Sequence, residues 1–220
     1  MGTLNYWNWN LNKSFTSFDQ PKVFVVGWTY EVPKFSRFAS NKVLSQAISG
    51  WTLGGLLQYG SGLPIGSPGS LNNLSAVLGF GTYMNRVPGQ PLYLKSLNCH
   101  CIDPFKQLVL NPAAWTDAAP GQFGTAAPYY GDYRLERRPG EQMSIGRTIR
   151  LSESKFLMIR AEFFNVFNRT YLPNPSSGNP FTATTYASNG NLNGGFGYIN
   201  PLGSLFFQPR NGQLVARIQW

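Results

Sequence analysis

Few side chains in this 220-residue sequence have the types and spacing that catalysis or metal binding requires. The only two cysteines flank the only histidine in Cys99-His100-Cys101, which suits a metal or redox site, or two loop cysteines, bridged or not, in an oxidising compartment. No second ligand pair accompanies them, and a single histidine excludes most acid–base arrangements that need two. We therefore expect no catalytic residue, no metal site, no cofactor and no enzymatic activity.

Four charged side chains lie within segments that otherwise alternate between apolar and polar residues. Arg160 and Glu162 interrupt KFLMIRAEFFNVF, Arg150 lies in EQMSIGRTIRL, and Arg217 lies in NGQLVARIQW. Because side chains alternate across a strand, all four fall opposite the apolar residues. A soluble sandwich core would tolerate such charges poorly, whereas a water-filled lumen suits them. We predict that they face a lumen, where Arg160, Glu162 and Arg217 form a salt-bridge network in the wall or contact a plug or a passing substrate.

Two further motifs carry little chemical information. No strand is predicted before the glycine cluster GGFGYI (194–199) and no helix after it, so it indicates a loop rather than a phosphate cradle. The aromatic stretch NYWNWN (5–10) suits either a ligand-binding surface or the end of an external loop that folds back onto a barrel rim. The residues that bind a substrate are unknown from the sequence.

Five alternating segments dominate the chain, and each has one apolar face and one more polar face. They are about 10 residues long, which exceeds the usual 5–6 of globular strands and matches the 9–11 of a tilted transmembrane strand. Aromatic residues lie near the ends of the apolar faces, as in the girdles of outer-membrane barrels. The sequence predicts an all-β fold, a segment of an antiparallel transmembrane β-barrel that is incomplete because the smallest barrels have about eight strands. The predicted strands lie near residues 22–32, 51–60, 141–151, 155–168 and 212–220.

The connections predict a topology and a register. A tight turn at 152–154 would make paired positions of the third and fourth strands sum to 306, so that even residues face even residues. Arg147 breaks the pattern, because it lies on the apolar face; either its stem snorkels to an interface or a bulge shifts the strand. The long connections 61–140 and 169–211 should lie outside the cell, with the turn and connection 33–50 on the periplasmic side.

Composition excludes several classes of protein. The net charge of +9 is scattered and accompanies no RNA-binding or zinc-finger signature, so we expect no nucleic-acid partner. No run of 18 apolar residues predicts a transmembrane helix. The opening MGTLNYWNWN lacks the basic start and apolar region of a secretory signal, so an exported protein would not begin naturally at Met1.

The sequence resembles the carboxy-terminal part of the Oar-like TonB-dependent transporters of Gram-negative bacteria. The likeness spans nearly the whole chain, and RAEFFNVFNRT (160–170) is its most specific part. The resemblance implies a 22-stranded barrel in the cell outer membrane, filled by an amino-terminal plug and energised through TonB. The other similar stretches are FDQPKVFVVGWTYEVP (18–33), SGWTLGGLLQYGSGLPI (49–65), NPAAWTDAAPGQFGTAAP (111–128) and the terminal strand.

We therefore expect residues 1–220 to form wall and external loops of such a transporter, as a fragment that lacks the plug and does not function alone. The implied partners are outer-membrane lipid, the barrel assembly machinery, the plug and other strands of the same transporter, and TonB only through the missing plug. The terminal strand resembles a barrel-assembly signal formed by Leu214, Ala216, Ile218 and Trp220. The alternative is a soluble β-sandwich that binds carbohydrate by stacking on Trp7 and Trp9.

Overall fold

The computed structural model describes residues 8, 10, 13–33, 49–79, 81–202 and 209–220, which fall into two compact units. The sheet unit comprises the described residues within 22–60, 138–170 and 209–220. The loop unit comprises those within 8–21, 61–137 and 171–202. No helix among the described residues is long and apolar enough to cross a membrane.

Strands account for nearly all of the regular structure in the described part of the chain. The exceptions are a short helix α1 (Leu74–Leu78) and a 3-10 turn at Pro112–Ala114. In chain order the strands are β1 (Val23–Glu31), β2 (Trp51–Gly60), β3 (Pro64–Gly66), β4 (Asn85–Arg86), β5 (Trp115–Thr116), β6 (Tyr129–Arg134), β7 (Gly140–Arg150), β8 (Phe156–Phe164), β9 (Thr185–Tyr186), β10 (Leu192–Gly194) and β11 (Asn211–Gln219).

The five long strands form one antiparallel sheet in the order β1-β2-β7-β8-β11. Each of the five long strands overlaps one of the ranges predicted from alternation, but β7 and β11 each begin one residue before the predicted range, at Gly140 and Asn211. The register predicted for β7 and β8 is confirmed, since Ser144 pairs with Glu162 and Ile145 with Ala161, and each pair sums to 306. The turn between them closes where the Leu151 N–H donates to the carbonyl oxygen of Lys155 over 2.8 Å.

The registers place the more polar faces of all five strands on the same side of the sheet. Odd positions of β1 and β11 lie on the same side of the sheet as even positions of β2, β7 and β8, as the strand pairings require. The other side carries the apolar positions, and the charged residues Glu141 and Arg147 of β7 interrupt them. The apolar positions are Phe24, Val26, Trp28, Tyr30, Trp51, Leu53, Leu57, Tyr59, Met143, Ile145, Ile149, Leu157, Ile159, Ala161, Phe163, Leu214, Ala216 and Ile218.

The fourth strand is shorter than its alternation suggests. β8 ends at Phe164, whereas the predicted range runs to 168. Asn165 and Asn168 adopt left-handed backbone conformations, with φ of 49° and 51°, and such residues cannot continue a strand. Asparagine tolerates this conformation better than other non-glycine residues, because its short amide bonds locally.

The hydrophobic core lies in the loop unit. Although 61–140 and 169–211 were predicted only as external loops, they contain short strands and pack together around Tyr133, Leu110 and Ile199, which are fully buried. These strands are two to six residues long, too short for alternation to mark them. The core comprises Ile65, Met84, Leu92, Leu97, Val109, Leu110, Ala114, Trp115, Ala126, Tyr133, Phe196 and Ile199.

The sheet unit contributes no buried hydrophobic side chain to the described structure. Phe24 is 63% exposed and Leu214 is 75% exposed, although both lie on the apolar face. A soluble β-sandwich would bury this face, since burial of apolar area drives folding in water. The exposed apolar face is therefore unfavourable to the sandwich alternative and suits a lipid environment. Trp7 and Trp9, on which that alternative depended, lie outside the described residues.

Candidate functional site

The polar face of the sheet carries one ion pair at its centre. Arg160 Nη2 lies 2.6 Å from Glu162 Oε1, two residues along the same face of β8. Glu162 also accepts a hydrogen bond from the side-chain amide of Gln213, its direct partner on β11. The structure thus holds a charged, hydrogen-bonded group across two neighbouring strands, as a wet wall would require.

The other two predicted lumen residues share this face but do not join the pair. The Arg150 guanidinium donates to the carbonyl oxygens of Ser152 and Glu153 over 3.2 and 3.3 Å, so it stabilises the β7–β8 turn. Arg217 pairs with Met158 in the register and forms no ion pair with any described residue. Of the predicted network, the described residues form the Arg160–Glu162 pair, whereas the register places Arg217 opposite Met158 and Gln213 opposite Glu162.

Glycines make room for the charged side chains on this face. A Cβ at Gly146 would lie 3.2 Å from Arg160 Cγ, so the arginine stem packs directly over this glycine. At Gly54 a Cβ would lie 2.9 Å from Ser144 Oγ. A cavity of about 350 Å³ opens here, with Gly54, Ser144 and Glu162 in its lining. It offers hydroxyl and carboxylate oxygens to whatever faces this side of the sheet.

A buried ion pair at the loop end of the sheet was not anticipated from the sequence. Glu141 lies on the apolar face of β7 but is only 2% exposed. Arg169 donates two hydrogen bonds to its carboxylate, from Nε to Oε2 over 2.7 Å and from Nη2 to Oε1 over 2.9 Å. The Tyr59 hydroxyl donates to Oε1 over 2.8 Å. We call Tyr59, Glu141 and Arg169 the rim cluster, which joins β2, β7 and the segment after β8.

The motif RAEFFNVFNRT builds the turn that delivers Arg169 to this cluster. Asn165 Oδ1 accepts from the Arg169 N–H over 2.8 Å, and Asn165 Nδ2 donates to the Arg169 carbonyl over 2.9 Å. The Val166 N–H donates to the carbonyl oxygen of Glu141 over 3.1 Å. Asn168 Oδ1 accepts from the Arg210 N–H, so the same turn also holds the start of β11. Two asparagines and an arginine after an apolar strand are the only sequence signal of this turn. The sequence does not show that Arg169 binds Glu141, because the two residues are 28 positions apart.

The residues predicted as a barrel-assembly signal occupy the edge strand β11. Leu214, Ala216 and Ile218 lie on the apolar face, and Trp220 follows the strand. Trp220 is 88% exposed, so it does not pack within a core of the described residues. Their role as an assembly signal stays a prediction.

The Cys-His-Cys segment of the loop unit has no metal-binding arrangement. Cys99 and Cys101 are joined by a disulfide, so neither offers a thiolate to a metal. No group of three or more potential ligands exists among the described residues. His100 Nδ1 lies 3.8 Å from Glu136 Oε1, and Glu136 Oε2 accepts from the Leu172 N–H. These contacts tie the segment to both connections of the loop unit.

Ionic and tyrosine contacts stiffen the loop unit further. Arg134 donates to Asp19 Oδ2 over 2.5 Å and to the carbonyl oxygens of Asp19 and Gly62. Tyr93 donates to the Arg134 carbonyl over 2.7 Å and accepts from its N–H, and burial raises the pKa of Tyr93 to about 12. Gly197 of the GGFGYI cluster lies against Leu110, where a Cβ would be 2.4 Å from the backbone nitrogen. This cluster therefore serves core packing rather than phosphate binding.

The long antiparallel strands and the two-faced sheet are typical of one class of protein, the transmembrane β-barrel. The chain belongs to the outer membrane beta barrel domain family, whose model matches residues 1–213. It is therefore a protein of the outer membrane. A comparison with curated proteins found no match. A comparison with solved structures likewise found none.

Proposed function

We propose that this chain forms wall strands and external loops of a TonB-dependent outer-membrane transporter of the Oar-like type. The observation that carries the proposal is the physical role of RAEFFNVFNRT, the stretch most specific to the resemblance. Its Arg160 and Glu162 form the ion pair on the polar face, and its Asn165, Asn168 and Arg169 form the rim turn. The motif thus has a function in shaping both a wet wall and an outer rim.

The polar face supports a role beside a plug or a solute. A lumen filled by another domain needs hydrogen-bonding groups along the wall, because buried polar atoms of that domain need partners. Arg160, Glu162, Gln213 and Ser144 supply charged and neutral groups on one side of the sheet. Arg150 and Arg217 add positive charge on the same face. In this proposal all four predicted charged residues face the lumen.

The loop unit supports a receptor role on the cell surface. External loops that merely connect strands need no core, whereas this unit buries twelve hydrophobic residues in one cluster. A rigid external surface can hold binding groups in fixed positions, which lowers the entropic cost of capturing a ligand. The substrate stays unassigned. The proposed partners are outer-membrane lipid, the assembly machinery, a plug with the remaining strands, and TonB through that plug.

The test uses the full-length product of the gene in its own bacterium. An antibody against residues 171–202 should detect, in outer-membrane fractions, a heat-modifiable protein longer than 220 residues. Cross-linking in intact cells should then link that protein to TonB, and deletion of its amino-terminal plug should abolish the link while leaving outer-membrane insertion intact. Insertion without any TonB cross-link in the wild type would contradict the transport proposal and leave the family assignment untouched.

A further inference from the structure

Arg147 is a cation on the apolar face of the sheet. It pairs with Trp51 on β2 and with Ile159 on β8, and no register shift interrupts either ladder. The bulge considered from the sequence is therefore absent, and Arg147 shares its face with Ile145 and Ile149 on its own strand. In an outer-membrane barrel this is the face that contacts lipid.

The guanidinium of Arg147 rests on an aromatic ring rather than on an acid. Its carbon lies 5.9 Å from the centroid of the Trp51 ring, within the range of a cation–π contact. Its Nε lies 3.9 Å from the position that a Cβ at Gly50 would occupy, an ordinary van der Waals distance, so the group lies beside Gly50 at the strand end. Within the described part of the chain, no carboxylate lies within 4.0 Å of Arg147.

A second charged residue, Glu141, lies towards the opposite end of the same strand, and other residues of the protein bind its carboxylate. Glu141 lies on the same face of β7, but Arg169 and Tyr59 bind both of its oxygens and it is 2% exposed. Arg147 is half-buried and receives no such counter-charge from the described residues. The two charges on the apolar face therefore differ, since one is neutralised by the protein and the other is left open to its surroundings.

The position of Arg147 sets the depth at which its charge can rest. Trp51, its direct neighbour, begins β2 at the end of the sheet that carries the short β7–β8 turn. Tryptophan is enriched at the membrane–water interface, and short turns face the periplasm. A charge at this depth is tolerated when its long stem carries it to the head groups, whereas the same charge at mid-bilayer would be strongly unfavourable.

We infer that Arg147 and Trp51 form a binding site for the head group of an anionic phospholipid in the leaflet on the β7–β8 turn side. The guanidinium donates two parallel hydrogen bonds to phosphate oxygens, a geometry that arginine provides and lysine does not. The indole packs against the guanidinium and the acyl-chain boundary. The anionic lipid supplies the counter-charge that the protein supplies to Glu141. The site depends on the outer-membrane placement and is independent of the transport proposal.

The test measures lipid binding by native mass spectrometry of the full-length protein in detergent micelles, with phosphatidylglycerol and phosphatidylcholine as probes. One basic residue near an anionic surface changes affinity about fivefold, so the first phosphatidylglycerol should bind about fivefold tighter than phosphatidylcholine. Arg147→Met should lose that preference, and Arg147→Lys should keep part of it. Since the substitution to methionine removes a charge from the lipid face, it should not hinder assembly, which heat-modifiable migration will verify.

Arg150→Met is the matched control, because it removes the same charge three positions away on the opposite face. It should leave the lipid preference unchanged. Inorganic phosphate added as a competitor should not displace the lipid, since it lacks the acyl chains. The inference is overturned if the wild type shows no preference, if Arg147→Met retains it, if Arg150→Met abolishes it equally, or if phosphate alone displaces the lipid.

Discussion

The rim cluster offers the sharpest test of what stabilises the sheet. Glu141→Gln keeps the shape of the side chain but removes the negative charge of the carboxylate, to which Arg169 donates two hydrogen bonds of 2.7 and 2.9 Å. The neutral amide retains one oxygen, so at most one of these bonds survives, and its NH₂ group faces the guanidinium instead of an acceptor. The substitution therefore converts a satisfied pair into a repulsive contact at a site where Glu141 is 2% exposed.

The expected cost follows from the burial of each partner. Breaking a fully buried ion pair costs about 3–5 kcal/mol, and a hydrogen bond to a charged group contributes about 1.5–3 kcal/mol. The Arg169 side chain is 44% exposed, so water can solvate it once the carboxylate is gone. We therefore expect Glu141→Gln to lower the free energy of unfolding by about 2 kcal/mol, with a coupling energy to Arg169→Gln of about 1–2 kcal/mol.

The assay is urea unfolding of the full-length protein in lipid vesicles, with both single variants and the double variant forming a cycle. Glu162→Gln is the control, because the Glu162 side chain is 19% exposed whereas that of Glu141 is 1% exposed, although their arginine partners are equally accessible. That control should cost less than about 1 kcal/mol, because water reaches both side chains of its ion pair. Equal losses for Glu141→Gln and Glu162→Gln, or a coupling energy indistinguishable from zero, would refute the reasoning.

Three further predictions concern the loop unit and the two faces of the sheet. Gly62→Ala should destabilise the loop unit by at least about 2 kcal/mol in thermal melts, because its Cβ would lie 1.8 Å from the carbonyl oxygen of Leu135. Gly69→Ala is the control and should be neutral in the same melts, because a Cβ there would have no atom within 4 Å. The pKa of Tyr93 is raised to about 12 in the folded protein from 10.0, so Tyr93 ionises at lower pH in the unfolded state than in the folded state. Its contribution to the free energy of unfolding is therefore fully present below pH 10 and should be lost as the pH rises towards 12. Tyr93→Phe should reduce the resulting fall in melting temperature across a pH series; an unchanged fall would contradict the assignment. Ile159→Arg should cost about 2–4 kcal/mol for folding into liposomes, and Met158→Arg far less; equal sensitivity would argue against a lipid face.

Alternation made the sheet readable from sequence because it is a local property. Consecutive residues of a strand point to opposite sides whatever the strand pairs with, so Leu157 and Arg160 could be assigned to different faces without knowledge of any neighbour. The tight turn at 152–154 then fixed the pairing of β7 with β8, since a short turn leaves one register that keeps apolar residues together. Arg147 could likewise be placed on the apolar face, although its neighbour Trp51 could not be named.

The loop unit could not be read in the same way. Its strands are short, and its core residues follow no period, because each contacts the core from a turn or an irregular segment rather than from a regular face. The disulfide between Cys99 and Cys101 was one of several open possibilities. Gly197 lies in a stretch that was predicted as a loop, but the requirement for glycine there follows from its close approach to Leu110, which the sequence does not show.

The sequence by itself therefore determined the strands, their two faces and the class of membrane protein, because these depend on residues that are neighbours along the chain. Only the tertiary structure decided which distant groups meet: Tyr59 with Glu141 across 82 residues, Arg134 with Asp19 across 115, and the two long connections in one core. Such contacts arise from the closure of long loops, and nothing in local periodicity records which ends are brought together.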